Sequence, residues 1–173
     1  RDEDEYFSEH NSCQGCGFSM DELQPRLFSF NSPFGACKEC SGLGNTMEFD
    51  PDKIIPDRSL SYNQGAVITS NPKAAWSTSI FKGLSEHFDF SLDTPFNELD
   101  PKIIDVILYG SSEKISILYE NREKTGRYEM NKSYDGIISD LKRRNKETGS
   151  QGMRDWYESF MANEVCSSCK GKR

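Results

Sequence analysis

The residues of this chain best suited to chemistry are its six cysteines, which fall into three Cys-x-x-Cys pairs. The second and third pairs share a longer form, Cys-x-x-Cys-x-Gly, at residues 37–42 and 166–171. Two thiolates on such a tight turn can point at one metal ion, and the glycine lets the backbone fold back with a positive φ. Two such knuckles complete one tetrahedral site. The sequence therefore predicts a single metal site formed by Cys37, Cys40, Cys166 and Cys169.

A site made only of thiolates suits Zn²⁺, and four protein ligands make its role structural rather than catalytic. An alternative set of four is Cys13, Cys16, Cys37 and Cys40, which has the ordinary spacing of a zinc ribbon. Closing the longer loop between Cys40 and Cys166 costs little more, because loop entropy grows with the logarithm of length. Six thiols cannot fill two sites of four. In the first arrangement, Cys13 and Cys16 are left as a second, incomplete site.

The pairing of all cysteines at one spacing favours metal binding in a reducing compartment over a secreted disulfide scaffold. No apolar run approaches the roughly 20 residues that a bilayer span needs. We therefore expect a cytoplasmic protein with no membrane partner. The chain starts at Arg1 and stops soon after the last knuckle, which is typical of a segment of a longer protein.

Charge is unevenly distributed along the chain, although the formal net charge is −7. Residues 121–154 hold nine Lys and Arg against five Asp and Glu, whereas residues 48–120 hold six basic and twelve acidic side chains. Clustered cations can contact several phosphates and release counterions. We expect DNA contact at one edge of the protein, through Arg122, Lys124, Arg127, Lys132, Lys142, Arg143, Arg144, Lys146 and Arg154. The alternative is that residues 142–146 only complement the dipole of a helix C-terminus.

Aromatic side chains are interleaved with these cations and could stack on exposed bases, although most are expected in the core: Tyr119, Tyr128, Tyr134, Trp156 and Tyr157. The sequence contains no recognisable set of catalytic residues. The two histidines, His10 and His87, have no obvious nucleophile beside them, and no carboxylate pair stands out. There is no Gly-x4-Gly-Lys-[Ser/Thr] phosphate loop. We therefore predict a segment that is not an enzyme by itself.

The elements that must position these residues indicate an α+β fold: a zinc-knuckle module carrying a small mixed insertion domain. We predict a zinc-binding segment at 1–46, an insertion domain at 47–163, and a returning knuckle at 164–173. A short helical turn at 19–23 and a strand at 26–31 precede the second knuckle. Short extended pieces follow from residue 50 to 65. The insertion then has helices at about 74–88, 100–109, 134–146 and 151–163, with a hairpin whose strands cover 115–119 and 127–130.

Several motifs in the chain are specific enough to indicate a protein family. The most specific is the block Pro25-Arg26-Leu27-Phe28-Ser29-Phe30-Asn31-Ser32-Pro33-Phe34-Gly35-Ala36-Cys37. Others are Cys13-Gln14-Gly15-Cys16-Gly17, Asp93-Thr94-Pro95-Phe96, Arg143-Arg144-Asn145-Lys146-Glu147-Thr148 and the closing Cys166-Ser167-Ser168-Cys169-Lys170-Gly171. These motifs resemble the UvrA family of DNA-damage-recognition ATPases from bacterial nucleotide excision repair. The resemblance covers essentially the whole chain.

The resemblance implies that Cys37, Cys40, Cys166 and Cys169 hold one zinc ion, with an insertion domain between the pairs. It also implies that Cys13 and Cys16 share a second zinc with a cysteine pair lying upstream. The resemblance further implies that the insertion domain contacts damaged duplex DNA, whatever the DNA sequence. It also implies three protein partners: the rest of the UvrA chain, a second UvrA protomer and UvrB. The family's ATPase motifs and its UvrB-binding region are missing from this chain.

Two other function classes compete with this interpretation. Residues 37–44 also form a Cys-x-x-Cys-x-Gly-x-Gly unit similar to the zinc region of J-domain chaperones, which would make the chain a module for unfolded polypeptide. That family strings four such units together, and this chain has one complete unit. A thiol-disulfide enzyme is a weaker alternative, because no Trp-Cys-Gly-Pro-type site opens a helix after a strand.

Overall fold

The computed structural model describes residues 24–120 and 126–173. The chain divides into two compact units, residues 1–47 with 163–173 (unit 1) and residues 48–162 (unit 2). The helices are α1 (Pro51–Ile54), α2 (Ala75–Phe88), α3 (Pro101–Tyr109), α4 (Ile137–Glu147) and α5 (Gln151–Glu158), and the strands are β1 (Asn45–Phe49), β2 (Ser111–Glu120), β3 (Arg127–Tyr134) and β4 (Met161–Val165). The predicted α+β fold class is confirmed.

The strands form two separate two-stranded sheets, one of β1 with β4 and one of β2 with β3. The second is an antiparallel hairpin in which Ile117 lies opposite Met130. Its register shifts between Ser111 and Lys114, so the two strands carry an irregularity near the start of β2. Residues 121–125, which connect the two strands, lie outside the described residues.

Helix α2 packs on the hairpin through a small buried cluster. Leu84 of the helix and Ile115 and Ile117 of β2 are each fully buried in this cluster. The helix comes very close to the strand, since a Cβ atom added at Gly83 would lie 2.6 Å from the carbonyl oxygen of Ser116. The period-two burial of Ile115 and Ile117 is what a strand with one buried face requires.

The main core of unit 2 collects apolar side chains from the helices and from the loops between β1 and α2. Its most deeply buried members include Ile54, Phe96 and Ile107. Tyr62 stacks on Phe81 inside it, with ring centroids 3.7 Å apart. This unit therefore has the apolar core that an independently stable domain needs.

Local signals explain where the helices begin. The side chain of Asp50 accepts a hydrogen bond from the backbone N–H of Asp52 at 2.9 Å, which caps α1. Asp100 does the same for α3, accepting from Lys102 N at 2.8 Å, with Pro101 in the first helical position. Capping of this kind satisfies N–H groups that have no partner within the helix.

A glycine separates β3 from α4. Gly136 has a φ of +84°, and a Cβ atom there would lie 2.4 Å from the carbonyl carbon of Tyr109. Only glycine accepts both the conformation and the close approach. The helix predicted from residue 134 consequently begins at Ile137, and β3 extends to Tyr134 rather than ending at residue 130.

Three predictions about local structure are wrong. Residues 26–31 are not a strand, because Pro25–Phe28 form a 3-10 helix that Pro25 starts and turns follow it. The segment after residue 50 contains the helix α1 instead of only extended pieces. The last helix ends at Glu158 and not at 163, since residues 161–165 are taken up by β4. The helical turn predicted at 19–23 lies outside the described residues.

Candidate metal centre and nucleic-acid interface

Unit 1 brings together the sulfur atoms of Cys37, Cys40, Cys166 and Cys169, which all lie within 4.8 Å of one another. The Sγ atoms of Cys37 and Cys166 are 3.9 Å apart, and those of Cys40 and Cys169 are 3.7 Å apart. Four thiolates bound tetrahedrally to zinc, with Zn–S bonds near 2.3 Å, have sulfur atoms about 3.8 Å apart. The observed separations therefore fit a metal ion in the middle of the four sulfurs.

The two knuckles repeat one backbone conformation. Ser41 and Lys170 have φ values of 50° and 51°, and Gly42 and Gly171 follow with 82° and 79°. Leu43 N donates to Cys40 O and Lys172 N donates to Cys169 O, both at 2.9 Å. Because the backbone of both knuckles follows the same path, each knuckle directs its two sulfur atoms toward the centre of the cluster in the same way.

The backbone also donates hydrogen bonds to the sulfurs. Gly44 N donates to Cys40 Sγ at 3.1 Å. The N–H groups of Cys40 and then Glu39 lower the pKa of the Cys37 thiol to about 6. Since the thiolate and not the thiol is the metal ligand, these N–H groups favour the protonation state that binds a metal.

Burial within unit 1 concentrates on the metal centre. Among the residues of this unit that the structure describes, the buried ones are Cys40, Gly44 and Cys166. Phe28 and Phe34 remain 70% and 62% exposed. No apolar core is present in this described part, so the cluster of four cysteines is its stabilising centre.

A contact that the sequence did not reveal joins the two halves of the site. Cys166 N donates to Gly44 O at 3.0 Å, which ties the returning knuckle to the first one directly beside the sulfurs. The only sequence signal for this contact is the second glycine of the Cys-x-x-Cys-x-Gly-x-Gly unit. Cys13 and Cys16, the predicted incomplete site, lie outside the described residues.

The predicted DNA-contacting cations lie on three elements of unit 2. Lys142, Arg143, Arg144 and Lys146 are exposed on α4, Arg127 and Lys132 are exposed on β3, and Arg154 is exposed on α5. The guanidinium of Arg154 donates to Thr148 O at 3.1 Å, beyond the C-terminus of α4. Arg122 and Lys124 lie outside the described residues.

Carboxylates orient part of this basic surface. Arg143 contacts Asp140 at 2.6 Å and Glu147 at 2.7 Å, and the Nε atom of Arg144 contacts Asp140 at 2.8 Å. Lys142 is held by Glu48 at 2.6 Å. Exposed pairs of this kind contribute little to stability. Because a guanidinium carries five N–H donors, these pairs leave donors for a further ligand.

The aromatic residues divide between core and surface. Tyr157 is buried and the hydroxyl of Tyr134 donates to Ile107 O at 3.2 Å, whereas Tyr128 and Trp156 are 61% and 40% exposed. Trp76, which the sequence did not single out, is 39% exposed and its ring lies 5.5 Å from Lys132 Nζ. Trp76 lies on an amphipathic helix, and the sequence pattern of such a helix does not show that this particular ring is exposed.

No helix among the described residues is long and apolar enough to cross a membrane.

Comparison with known proteins identifies relatives along nearly the whole chain. UvrABC system protein A from Borreliella burgdorferi is 49% identical over 175 residues, which is 98% of this chain and 18% of that protein. The protein of the same name from Clostridium tetani is 44% identical over 177 residues, covering 99% of this chain and 18% of that protein. The chain thus spans about a fifth of the length of these curated relatives.

A solved structure supports the same relationship. UvrA2 from Deinococcus radiodurans superposes with a TM-score of 0.61 and 25% sequence identity, covering 85% of this chain and 19% of that one. The family model described as UvrA DNA-binding domain matches residues 50–159. These matches favour the UvrA resemblance and give no support to the chaperone interpretation. Because the model covers more than half of the chain, the chain belongs to the UvrA family, with residues 50–159 as its UvrA DNA-binding domain.

Proposed function

We propose that this chain is a zinc-stabilised, DNA-contacting segment of a UvrA-type protein that acts in nucleotide excision repair. The match of residues 50–159 to the UvrA DNA-binding domain carries the proposal. The segment itself has a binding and structural role rather than a catalytic one. ATP hydrolysis, contact with UvrB and pairing with a second UvrA protomer belong, in this proposal, to the complete protein in the cytoplasm.

The metal ion is zinc, bound by Cys37, Cys40, Cys166 and Cys169. A donor set of four thiolates favours zinc over Mg²⁺ or Ca²⁺, which prefer oxygen ligands. The separations of 3.7 Å and 3.9 Å between facing sulfurs match the tetrahedral geometry that zinc adopts in structural sites. Cys13 and Cys16 are proposed to contribute to a second zinc site with cysteines from elsewhere in the complete protein.

The knuckle module, residues 1–46 and 164–173, acts as the base from which the insertion domain, residues 47–163, contacts DNA. The contacts are made by the cations of the basic segment: Arg122, Lys124, Arg127, Lys132, Lys142, Arg143, Arg144, Lys146 and Arg154. Phosphate contacts fix position without reading sequence, so this surface suits binding to damaged duplex whatever its sequence. The short spacing of four cations along α4 is the feature that favours phosphate contact there.

Salt-dependent DNA binding of Arg143→Ala/Arg144→Ala tests the proposal. Each lost phosphate contact reduces the slope of log affinity against log salt by roughly 0.9, so the double variant should lower it by about 2. The matched control is Lys82→Ala/Lys102→Ala, which removes two exposed charges outside the basic segment. Equal losses in both variants would show that only net charge matters and would contradict the assignment of the surface.

A further inference from the structure

Unit 2 contains a cavity of about 1020 Å³ that is lined by side chains from α2, the hairpin, α4 and α5. Both tryptophans of the chain, Trp76 and Trp156, line this cavity, together with Tyr109 at the end of α3. The three rings are 39%, 40% and 58% exposed, so their faces are not covered by the protein core. Large aromatic rings left open inside one concavity are candidate platforms for a planar ligand.

Neighbouring rings fix the two indoles in place. Trp156 meets Tyr157 and Phe160 edge to face, with centroids 5.1 Å and 4.9 Å apart, and both partners are buried. Trp76 meets Tyr119 edge to face at 5.6 Å. These contacts position both indoles, while Trp76 and Trp156 remain 39% and 40% exposed and Lys132 Nζ lies 5.5 Å from the centre of the Trp76 ring.

Cations lie around the same cavity. Lys132, Arg143 and Arg144 line it, against the two carboxylates of Asp135 and Asp140. Asp140 holds both arginines through contacts of 2.6 Å and 2.8 Å, which leaves other N–H donors of each guanidinium for an anion. The combination of flat apolar faces and fixed cations matches a nucleotide, which carries a planar base and a phosphate.

The rest of the lining mixes serines with apolar side chains such as Ile80 and Met153, and this mixture argues against an apolar protein segment as the ligand. Six serines line the cavity: Ser70, Ser77, Ser111, Ser112, Ser133 and Ser139. Grooves that receive an amphipathic helix present a continuous apolar surface instead. Serine hydroxyls both donate and accept hydrogen bonds, and this suits base edges and sugar oxygens.

We propose that this cavity binds an unpaired nucleotide of a DNA strand, with its base stacked on an indole ring and its phosphate beside Lys132, Arg143 and Arg144. The inference rests on the proposed function, namely that this domain contacts DNA. Bases in an intact duplex are stacked on each other and cannot place their faces against a ring in a concave site. The cavity therefore responds to DNA whose helix is locally opened.

The chain supplies its own reporter, because both of its tryptophans line the cavity. We would titrate the zinc-loaded chain with a duplex containing one unpaired thymine and with the matching fully paired duplex, at one salt concentration. Stacking of a base on an indole should quench tryptophan emission with the bulged duplex only. Trp76→Leu should weaken binding of the bulged duplex by roughly 5- to 140-fold while leaving the paired duplex unchanged, since base stacking on an aromatic ring accounts for that range.

Phe28→Leu is the matched control, because Phe28 is an aromatic residue of unit 1 that is 70% exposed and does not line the cavity. If Trp76→Leu does not fold, as judged by circular dichroism, Trp156→Phe provides the second variant, because it keeps an aromatic ring and removes one reporter. Loss of part of the quench in Trp156→Phe, with Phe28→Leu binding both duplexes as the unchanged chain does, supports the proposal.

Four outcomes would overturn the proposal. Equal quenching by both duplexes means general DNA contact and no pocket for an unpaired base. Salt-dependent DNA binding without any quench overturns the pocket and leaves the proposed function intact, whereas no binding of either duplex refutes the proposed function as well. Quenching by an amphipathic helical peptide, with no effect of the bulged duplex, would identify a protein-binding groove instead.

Discussion

Replacing Cys166 and Cys169 by serine should unfold unit 1 and leave unit 2 folded. The described part of unit 1 buries no apolar side chain apart from those of Cys40 and Cys166. Structural zinc contributes roughly 10 to 16 kcal/mol to folding in small metal-held modules. A module whose stability comes from its metal loses that contribution when half of its ligands are removed.

Amide hydrogen exchange measures the effect at named positions. In the unchanged chain, Leu43 N and Lys172 N are held by Cys40 O and Cys169 O at 2.9 Å, so both amides should be protected. In Cys166→Ser/Cys169→Ser their protection should fall to that of an unfolded chain. Emission from Trp76 and Trp156, which both belong to unit 2, should keep its folded value.

Cys13→Ser/Cys16→Ser is the matched control, because it removes the same number of thiols from outside the cluster. This control should retain about one zinc ion per chain, by metal analysis, and the full protection of Leu43. If Cys166→Ser/Cys169→Ser keeps its zinc and its protected amides while the control loses both, the ordinary ribbon formed by the first four cysteines is the true site. The closure of the module through residue 166 would then be wrong.

Three further predictions concern unit 2. Gly136→Ala should lower the melting temperature strongly, because its Cβ would lie 2.4 Å from backbone at a φ of +84°, whereas Gly149→Ala, with nothing within 4 Å, should change it little. Leu84→Ala should lower the free energy of unfolding in urea by about 2 to 5 kcal/mol, as expected for a fully buried leucine; a loss under 1 kcal/mol would mean that the helix and hairpin do not pack as described. Burial raises the pKa of Tyr134 above its usual 10.0, so its stabilising contribution is complete below pH 10 and is lost as pH rises further. Tyr134→Phe should therefore flatten the fall of stability above pH 10, and an unchanged slope would contradict this assignment.

Elements with local signals could be predicted from the sequence. Helix α3 has an N-cap at Asp100, a proline in its first position and an apolar stripe, and it forms where those signals put it. The same holds for α2, whose apolar spacing matches the observed Ala75–Phe88. Such features depend on neighbouring residues only, so the amino-acid pattern alone contains them.

Elements that depend on distant partners could not be predicted. Strand β4 interrupts what the pattern of residues 151–163 indicates as one helix, because its partner β1 lies more than a hundred residues earlier in the chain. The alternation at 26–31 is typical of a strand, yet no described strand pairs with this segment, and the proline at its start gives a 3-10 helix. The repeated Cys-x-x-Cys-x-Gly form is an exception, because similarity between two segments indicated a long-range contact that spacing alone left open.

The cavity with its two indoles is a further feature that the sequence alone could not predict. Trp156 belongs to a group of aromatic residues of which most were expected in the core, yet its ring is 40% exposed, whereas Phe160 on the next turn is buried. The helical pattern places both residues on nearly the same face and cannot say where the core ends. Trp76 comes from a separate helix, so only the tertiary fold makes the two rings part of one concave surface.

Within each unit, a backbone hydrogen bond brings the segment that leads into the insertion close to the segment that leads out of it. Asp50 N donates to Phe160 O at 2.9 Å, so the entry and exit of the insertion lie one hydrogen bond apart, and Gly44 O accepts from Cys166 N at 3.0 Å in the same manner in the metal-held module. Two strand ends at that separation can be joined by a hairpin turn of about two residues. Gene rearrangements can therefore lengthen, shorten or swap the inserted segment without altering the path of the chain through the knuckles. A protein engineer could likewise graft a different insertion onto the same four-cysteine module.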